Sequence, residues 1–214
     1  SMSMMNGVFS RTRKREVTTD MSQAERKPHM RKVVLTENER KEYDKVIEEY
    51  IDDNSYTDYW GEEVLTPGGT LGLVQKKRQV ASSVYAYLNN ENDLDAGRDA
   101  FESYTDSKFE ELLRIIDEVF KHGTKKIVIF ALFRRTLKYL QIRFKKHGYG
   151  SLMIHGQIEN RAEILEEFRN NPDAHILLSS EVGSEGLDMQ FCNSMVNYDL
   201  PWNPMVVEQR IGRI

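Results

Sequence analysis

Cysteine is almost missing: the 214 residues contain one, Cys192. An internal disulfide is therefore excluded, and a reducing cytoplasm suits the chain. With no base or metal-ligating neighbour in sequence, Cys192 reads as a small buried apolar residue. Long hydrophobic runs are missing too. No stretch approaches the roughly 18 apolar residues needed to span a bilayer, and no signal peptide is visible, so a cytoplasmic chain without membrane contact is expected. No internal repeat or low-complexity tract occurs. No Gly-Lys-Ser or Gly-Lys-Thr occurs anywhere, so the chain has no Walker A loop and is not expected to bind and hydrolyse a nucleotide unaided. Uniform positive charge is lacking as well. A net charge of −4 argues against a basic surface all round, and local patches must carry any phosphate contacts.

What is present is ordinary for a soluble protein: 39% hydrophobic and 30% charged residues, enough for one medium domain or two small ones. Charge is unevenly spread. Residues 11–32 hold eight Lys/Arg against three Asp/Glu, a balance of 8 − 3 = +5, while 37–63 is strongly acidic. Ser1-Met2-Ser3-Met4 resembles a vector-derived scar and is set aside.

The basic start reads as an extended or partly ordered segment, and Val33-Val34-Leu35 as a short strand. Thr36 and Glu39 spell a capping box that opens a helix with Tyr43, Val46, Ile47, Tyr50 and Ile51 on one face. Thr66-Pro67-Gly68-Gly69 is a turn, followed by a helix over about 71–88. The polar cluster Asn89-Asn90-Glu91-Asn92-Asp93, with Gly97, predicts a loop or linker. Ser107 and Glu110 form a second capping box, and Gly123 ends the helix that it opens. From there strands alternate with helices. Ile127-Val128-Ile129-Phe130, Leu152-Met153-Ile154, Ile176-Leu177-Leu178 and Met195-Val196-Asn197-Tyr198 are buried strands. The helices between them carry Leu137, Leu140 and Phe144, then Ile164, Leu165 and Phe168. This rhythm predicts an α/β fold whose parallel sheet is covered on both faces. Ligands in such folds sit beyond the carboxyl ends of the strands.

The polar motifs fall at those ends. Ser180-Glu181-Val182-Gly183-Ser184-Glu185-Gly186-Leu187-Asp188 follows a strand. Its glycines let backbone amides approach a phosphate or sugar, although a plain turn has the same composition. Arg210 and Arg213 share a helical face, where guanidinium forks suit phosphate oxygens. A solvated face paired with Glu208 is the alternative. His155-Gly156 ends a strand and could touch a ligand or be structural. Arg134 and Arg135 stand in a first helical turn, against the helix dipole, as nucleic-acid contacts or surface residues. Trp202, between Pro201 and Asn203-Pro204, anchors a turn.

In their order, these segments resemble the second half of a Snf-type motor of helicase superfamily 2. Gly183-Ser184-Glu185-Gly186, Asp199-Leu200-Pro201-Trp202-Asn203-Pro204 and Glu208-Gln209-Arg210-Ile211-Gly212-Arg213 are similar to its motifs V and VI. The wording is nearest the bacterial branch that includes RNA-polymerase-associated recycling ATPases. Residues 126–133 resemble motif IV, His155-Gly156 with Arg161 the element after it, and 9–17 the basic crossover between motor lobes.

The resemblance implies a RecA-like three-layer αβα lobe at 107–214, a mainly helical segment at 36–106 and an inter-lobe linker at 1–35. It implies ATP bound between this lobe and an N-terminal RecA-like lobe that supplies the phosphate loop and holds Mg2+. Arg213 would contact the γ-phosphate, with Arg210 and Gln209 nearby. Glu185, Gly186 and Asp188 would border the nucleotide. Ser180, Arg134, Arg135, His155 and Arg161 would lie along nucleic-acid phosphates, and double-stranded DNA is the implied partner. Two departures stand out: Asp188 occupies a position where the family more often has Asn, and motif VI runs on to an arginine expected two residues beyond Ile214. A non-catalytic nucleic-acid- or protein-binding module on a degenerate RecA-like fold is the rival reading, and an RNA-directed helicase a third.

Overall fold

The computed structural model describes residues 7–9, 11–13 and 29–200. Three short strands come first, β1 (Gly7–Phe9), β2 (Arg11–Arg13) and β3 (Arg31–Val33). β1 pairs antiparallel with β3, Gly7 opposite Val33. The strand expected at 33–35 thus sits two residues earlier. Val33 is buried while Val34 is 72% exposed, and Arg31 Nη2 pins the strand through an ion pair to Glu118 Oε2 at 2.6 Å.

The Thr36 capping box opens α1 (Glu37–Asn54) as expected. Thr36 Oγ1 accepts the Glu39 amide at 3.2 Å, and the Glu39 carboxylate accepts the Thr36 amide at 2.7 Å. Glu39 also accepts the amide and hydroxyl of Ser107, at 2.8 and 2.7 Å. That second task explains why Ser107 does not cap its own helix. Asp106 does so instead, its Oδ1 taking the Phe109 amide at 2.9 Å. A carboxylate also suits the positive end of the dipole.

After α1, a hairpin of β4 (Ser55–Thr57) and β5 (Glu63–Leu65) leads into α2 (Gly69–Ser82). The single helix expected over 71–88 is two. Ser83 breaks it in an extended conformation and caps α3 (Val84–Leu88), accepting the Ala86 amide at 3.1 Å. The linker expected at 89–93 is also ordered. Asn89 is fully buried, and Asn90 caps α4 (Glu91–Asp95) by accepting the Asn92 amide at 2.9 Å.

Next follow α5 (Ser107–Lys121), β6 (Ile127–Phe130), α6 (Arg134–Lys146), β7 (Gly150–Ile154), α7 (Arg161–Asn170), β8 (Ala174–Ser179), a 3-10 turn (Val182–Ser184) and β9 (Ser194–Asn197). The sheet order is β2-β9-β6-β8-β7, with β9, β6, β8 and β7 parallel. β2 joins β9 antiparallel, Arg11 opposite Val196, so the basic start supplies an edge strand. Alternation separates two cores. Ile127, Ile129, Ile176, Leu178 and Val196 face α5, α6 and the helices before them. Val128, Phe130, Leu177 and Met195 face α7 with Met189 and Cys192. The result is a three-layer αβα sandwich, with residues as early as Val33 and Val46 in the first core.

Candidate functional site at the carboxyl edge of the sheet

Three connections meet beyond the carboxyl ends of β6, β7 and β8, and side chains lock them together. The loop after β8 is folded against β7: the Ser180 amide donates to the Ile154 carbonyl at 3.0 Å. A Cβ on Gly183 would lie 2.5 Å from that carbonyl oxygen and 2.8 Å from His155 Cα, so only glycine permits the approach. Ser180 Oγ accepts the Gly183 amide at 3.0 Å. Arg161, at the start of α7, donates from Nη1 to the Val182 carbonyl at 3.0 Å. Arg161 and Ser180 therefore both hold this loop in place.

Several backbone amides of this loop are engaged within it. Gly183, Ser184, Glu185 and Leu187 all donate to oxygens within the loop. What the loop offers outward is side chains: Glu185 and Asp188 are exposed beside Gly186, whose φ of +75° turns the chain there. Asp188 Oδ1 accepts the Gln190 amide at 3.0 Å, which fixes its carboxylate.

A basic corner stands beside the loop. Arg134, exposed in the first turn of α6, donates from Nη1 to Gln157 Oε1 at 2.6 Å. The Gln157 amide in turn donates to His155 Nδ1 at 3.3 Å. Burial holds the His155 pKa below its usual value, and the nearby Arg134 and Lys138 charges push the same way. A neutral imidazole whose Nδ1 accepts carries its proton on Nε2, free to donate. Arg135 points elsewhere: it donates to the Asn89 carbonyl and lies over the Tyr87 ring, 5.8 Å from its centroid. Gln209, Arg210, Arg213 and Trp202 lie outside the described residues.

The sequence marks Asp199 only as part of a motif-like segment, yet it is a buried junction at this edge. Asp199, at the end of β9, is 7% exposed. Its Oδ1 accepts Lys108 Nζ at 2.9 Å, and its Oδ2 accepts Ser82 Oγ at 2.7 Å and the Leu132 amide at 3.0 Å. Lys108 Nζ also donates to the Ser82 carbonyl at 2.9 Å and sits 4.0 Å from the Tyr198 ring centroid. Ser82 Oγ bonds Thr136 Oγ1 at 2.7 Å. One carboxylate thus ties α2, α5, the β6–α6 connection and β9. The only available sign was Lys108 itself, a cation in a helix's first turn beside an apolar stripe. A second buried network lies behind it. Tyr139 donates to Asp106 Oδ2 at 2.8 Å, and Arg143 Nη1 donates to Tyr139 Oη at 3.0 Å and Asp99 Oδ2 at 3.4 Å. Burial raises the Asp106 and Tyr139 pKa values.

Comparison with known proteins places this edge in context. Residues 107–214 match the model of the helicase conserved C-terminal domain. An uncharacterized ATP-dependent helicase of Bacillus subtilis, YqhH, is 40% identical over 104 residues, 48% of this chain and 18% of the relative. The RNA polymerase-associated protein RapA of Vibrio parahaemolyticus is 36% identical over 121 residues, 55% of this chain and 12% of its own. The chain thus spans less than a fifth of either relative. In fold it resembles the Sulfolobus solfataricus SWI2/SNF2 ATPase core in complex with dsDNA, with a TM-score of 0.61 and 24% identity over 84% of this chain and 36% of that one.

Proposed function

Because the chain belongs to the helicase C-terminal domain family through residues 107–214, we propose that it is the carboxyl-terminal motor lobe of a Snf-type, ATP-dependent translocase on double-stranded DNA. A second RecA-like lobe of the same parent chain completes the nucleotide site and holds Mg2+. Bound between the lobes, ATP supplies the energy that closes them. Arg213, with Arg210 and Gln209, brings positive charge to its phosphates. In phosphoryl transfer a supplied arginine is worth roughly 10³–10⁵ in rate. Glu185, Gly186 and Asp188 border the nucleotide from the loop after β8.

The tracked strand lies along the basic corner. Arg134 reaches a phosphate with the guanidinium edge that Gln157 leaves free, and His155 donates from Nε2. Ser180 and Arg161 hold the loop that faces them. These contacts read no bases, so affinity is independent of sequence and falls steeply with salt. The observation that carries this reading is the meeting of the 180–188 loop and the Arg134–Gln157–His155 corner at one carboxyl edge, in a family member.

Binding of the chain to a labelled 20-base-pair duplex tests it. Arg134→Ala is expected to lower the slope of log affinity against log salt by about 1, the loss of one phosphate contact. An unchanged slope would refute the assignment of Arg134. The isolated chain should turn over no ATP, because the phosphate loop belongs to the other lobe. Turnover by the pure chain sinks the lobe reading. In the two-lobed parent, stimulation by RNA but not by duplex DNA would mark an RNA-directed motor instead.

A further inference from the structure

The hairpin between α1 and α2 has no part in the site described so far, and its composition is unusual. Between Lys45 and Lys76 the chain carries seven Asp/Glu and no Lys or Arg. At the tip stand the two most exposed large hydrophobic side chains among the described residues, Tyr59 at 94% and Trp60 at 83%. Their rings meet edge to face, 5.9 Å between centroids. Tyr56 and Val64, cross-strand partners in the hairpin, are exposed as well.

The tip is not loosely held. The Asp58 amide donates to the Glu62 carbonyl at 2.8 Å, and the Gly61 amide to the Asp58 carbonyl at 3.1 Å. Asp58 Oδ1 takes the amides of both Trp60 and Glu62 at 2.9 Å. Gly61 adopts the φ of +83° that the turn requires. The base is equally fixed: the Thr66 amide donates to the Asn54 carbonyl at 2.7 Å. Tyr50 Oη fills the space that a Cβ on Gly72 would need, 1.9 Å away. A closed turn therefore holds two aromatic rings out into water, on a hairpin whose neighbouring residues Asp52, Asp53, Glu62 and Glu63 are exposed. Rigid, projecting Tyr and Trp side chains lose little conformational freedom on binding and are favoured interface anchors. Polar residues would serve a solvated tip better.

From this arrangement we infer that the hairpin is a docking surface for a lysine- or arginine-rich protein segment. Ring faces attract cations, most strongly at Trp, and the surrounding carboxylates pair with the same groups. The same carboxylates repel phosphates, which turns this face away from nucleic acid. The inference is independent of the motor reading, since it uses none of the residues at the carboxyl edge.

The probe is a fluorescein-labelled dodecapeptide of alternating arginine and glycine, titrated with the chain and read by anisotropy. The double variant Tyr59→Ala, Trp60→Ala leaves every charge in place and removes only exposed rings, so circular dichroism should be unchanged. It is expected to weaken binding by about tenfold or more. Asp52→Asn with Asp53→Asn should weaken it several-fold and flatten its salt dependence. Equal peptide affinity in the ring variant would overturn the proposal, since net charge alone would then explain binding. A 20-base-pair duplex that loses affinity in the same variant overturns it in favour of nucleic acid. A concentration-dependent dimer abolished by the variant overturns it in favour of a second copy.

Discussion

Lys108→Met tests the buried junction at Asp199 most directly. The substitution keeps length and apolar stem while deleting the ammonium. Asp199 would remain 7% exposed, with Ser82 Oγ and the Leu132 amide as its remaining donors. The carbonyl of Ser82 would lose its lysine donor as well. Removing one partner of a buried pair costs about 3–5 kcal/mol. For a chain of this size that corresponds to about 6–20 °C in Tm, at roughly 2–4 °C per kcal/mol. Urea unfolding is the assay: the midpoint should fall while the m-value holds, because the folded area is unchanged. Adding Asp199→Leu should recover part of the loss, since the uncompensated charge goes with it. The double variant should be more stable than the sum of the single effects by at least about 1 kcal/mol. A Lys108→Met protein within about 1 kcal/mol of the parent, or additive single effects, would refute the view that this pair works as a unit.

Three further outcomes follow from the same geometry. Gly183→Ala should destabilise by about 1–3 kcal/mol in the same urea experiment, because the new methyl meets backbone atoms that cannot swing aside; the clash is with the Ile154 carbonyl, 2.5 Å away. His155 titrates below its usual value of 6.5 in the folded protein. Its neutral form is therefore worth stability that is present above pH 6.5 and lost as pH falls toward the folded pKa. The fall in Tm with acidity in that window should be smaller in His155→Gln, and an identical profile would contradict the assignment. Burial pushes the Cys192 thiol up to about 11, so a disulfide reagent at pH 8 should react with it only after unfolding. Rapid labelling of the native chain would show that the core behind β9 opens.

Elements with strong local signals were legible in the sequence. Ile127-Val128-Ile129-Phe130 has no polar position and is rich in β-branched residues, the signature of a strand buried on both faces. The Thr36 box formed because both of its bonds are local. Elements decided by distant partners were not legible. Ser83 breaks a helix inside an otherwise periodic run, with Ser82 beside it engaged by Asp199, 117 residues away. Ser107 had the spacing of a cap, yet its hydroxyl is held by Glu39, 68 residues earlier. Asn89 looked like linker because it is polar, and it is buried because Asp99 and the Tyr85 carbonyl both take its side-chain amide. At the carboxyl edge, the sequence pointed to the loop, the histidine and Arg134, which the fold brings together. Spacing could not link Lys108 to Asp199, 91 residues apart, nor separate Arg134, which is exposed, from Arg135, which is half-buried against Asn89 and Tyr87.

The edge strand β2 has a mechanical consequence. It runs antiparallel to β9, with Arg11 opposite Val196. Entry into β2 and exit from β9 therefore lie side by side at the carboxyl edge, like the two leaves of a door hinge sharing one pin. Tension between the incoming and outgoing strands would peel the β2–β9 hydrogen bonds one by one from that end rather than load them in shear. The load would arrive next to Asp199 without crossing the sheet.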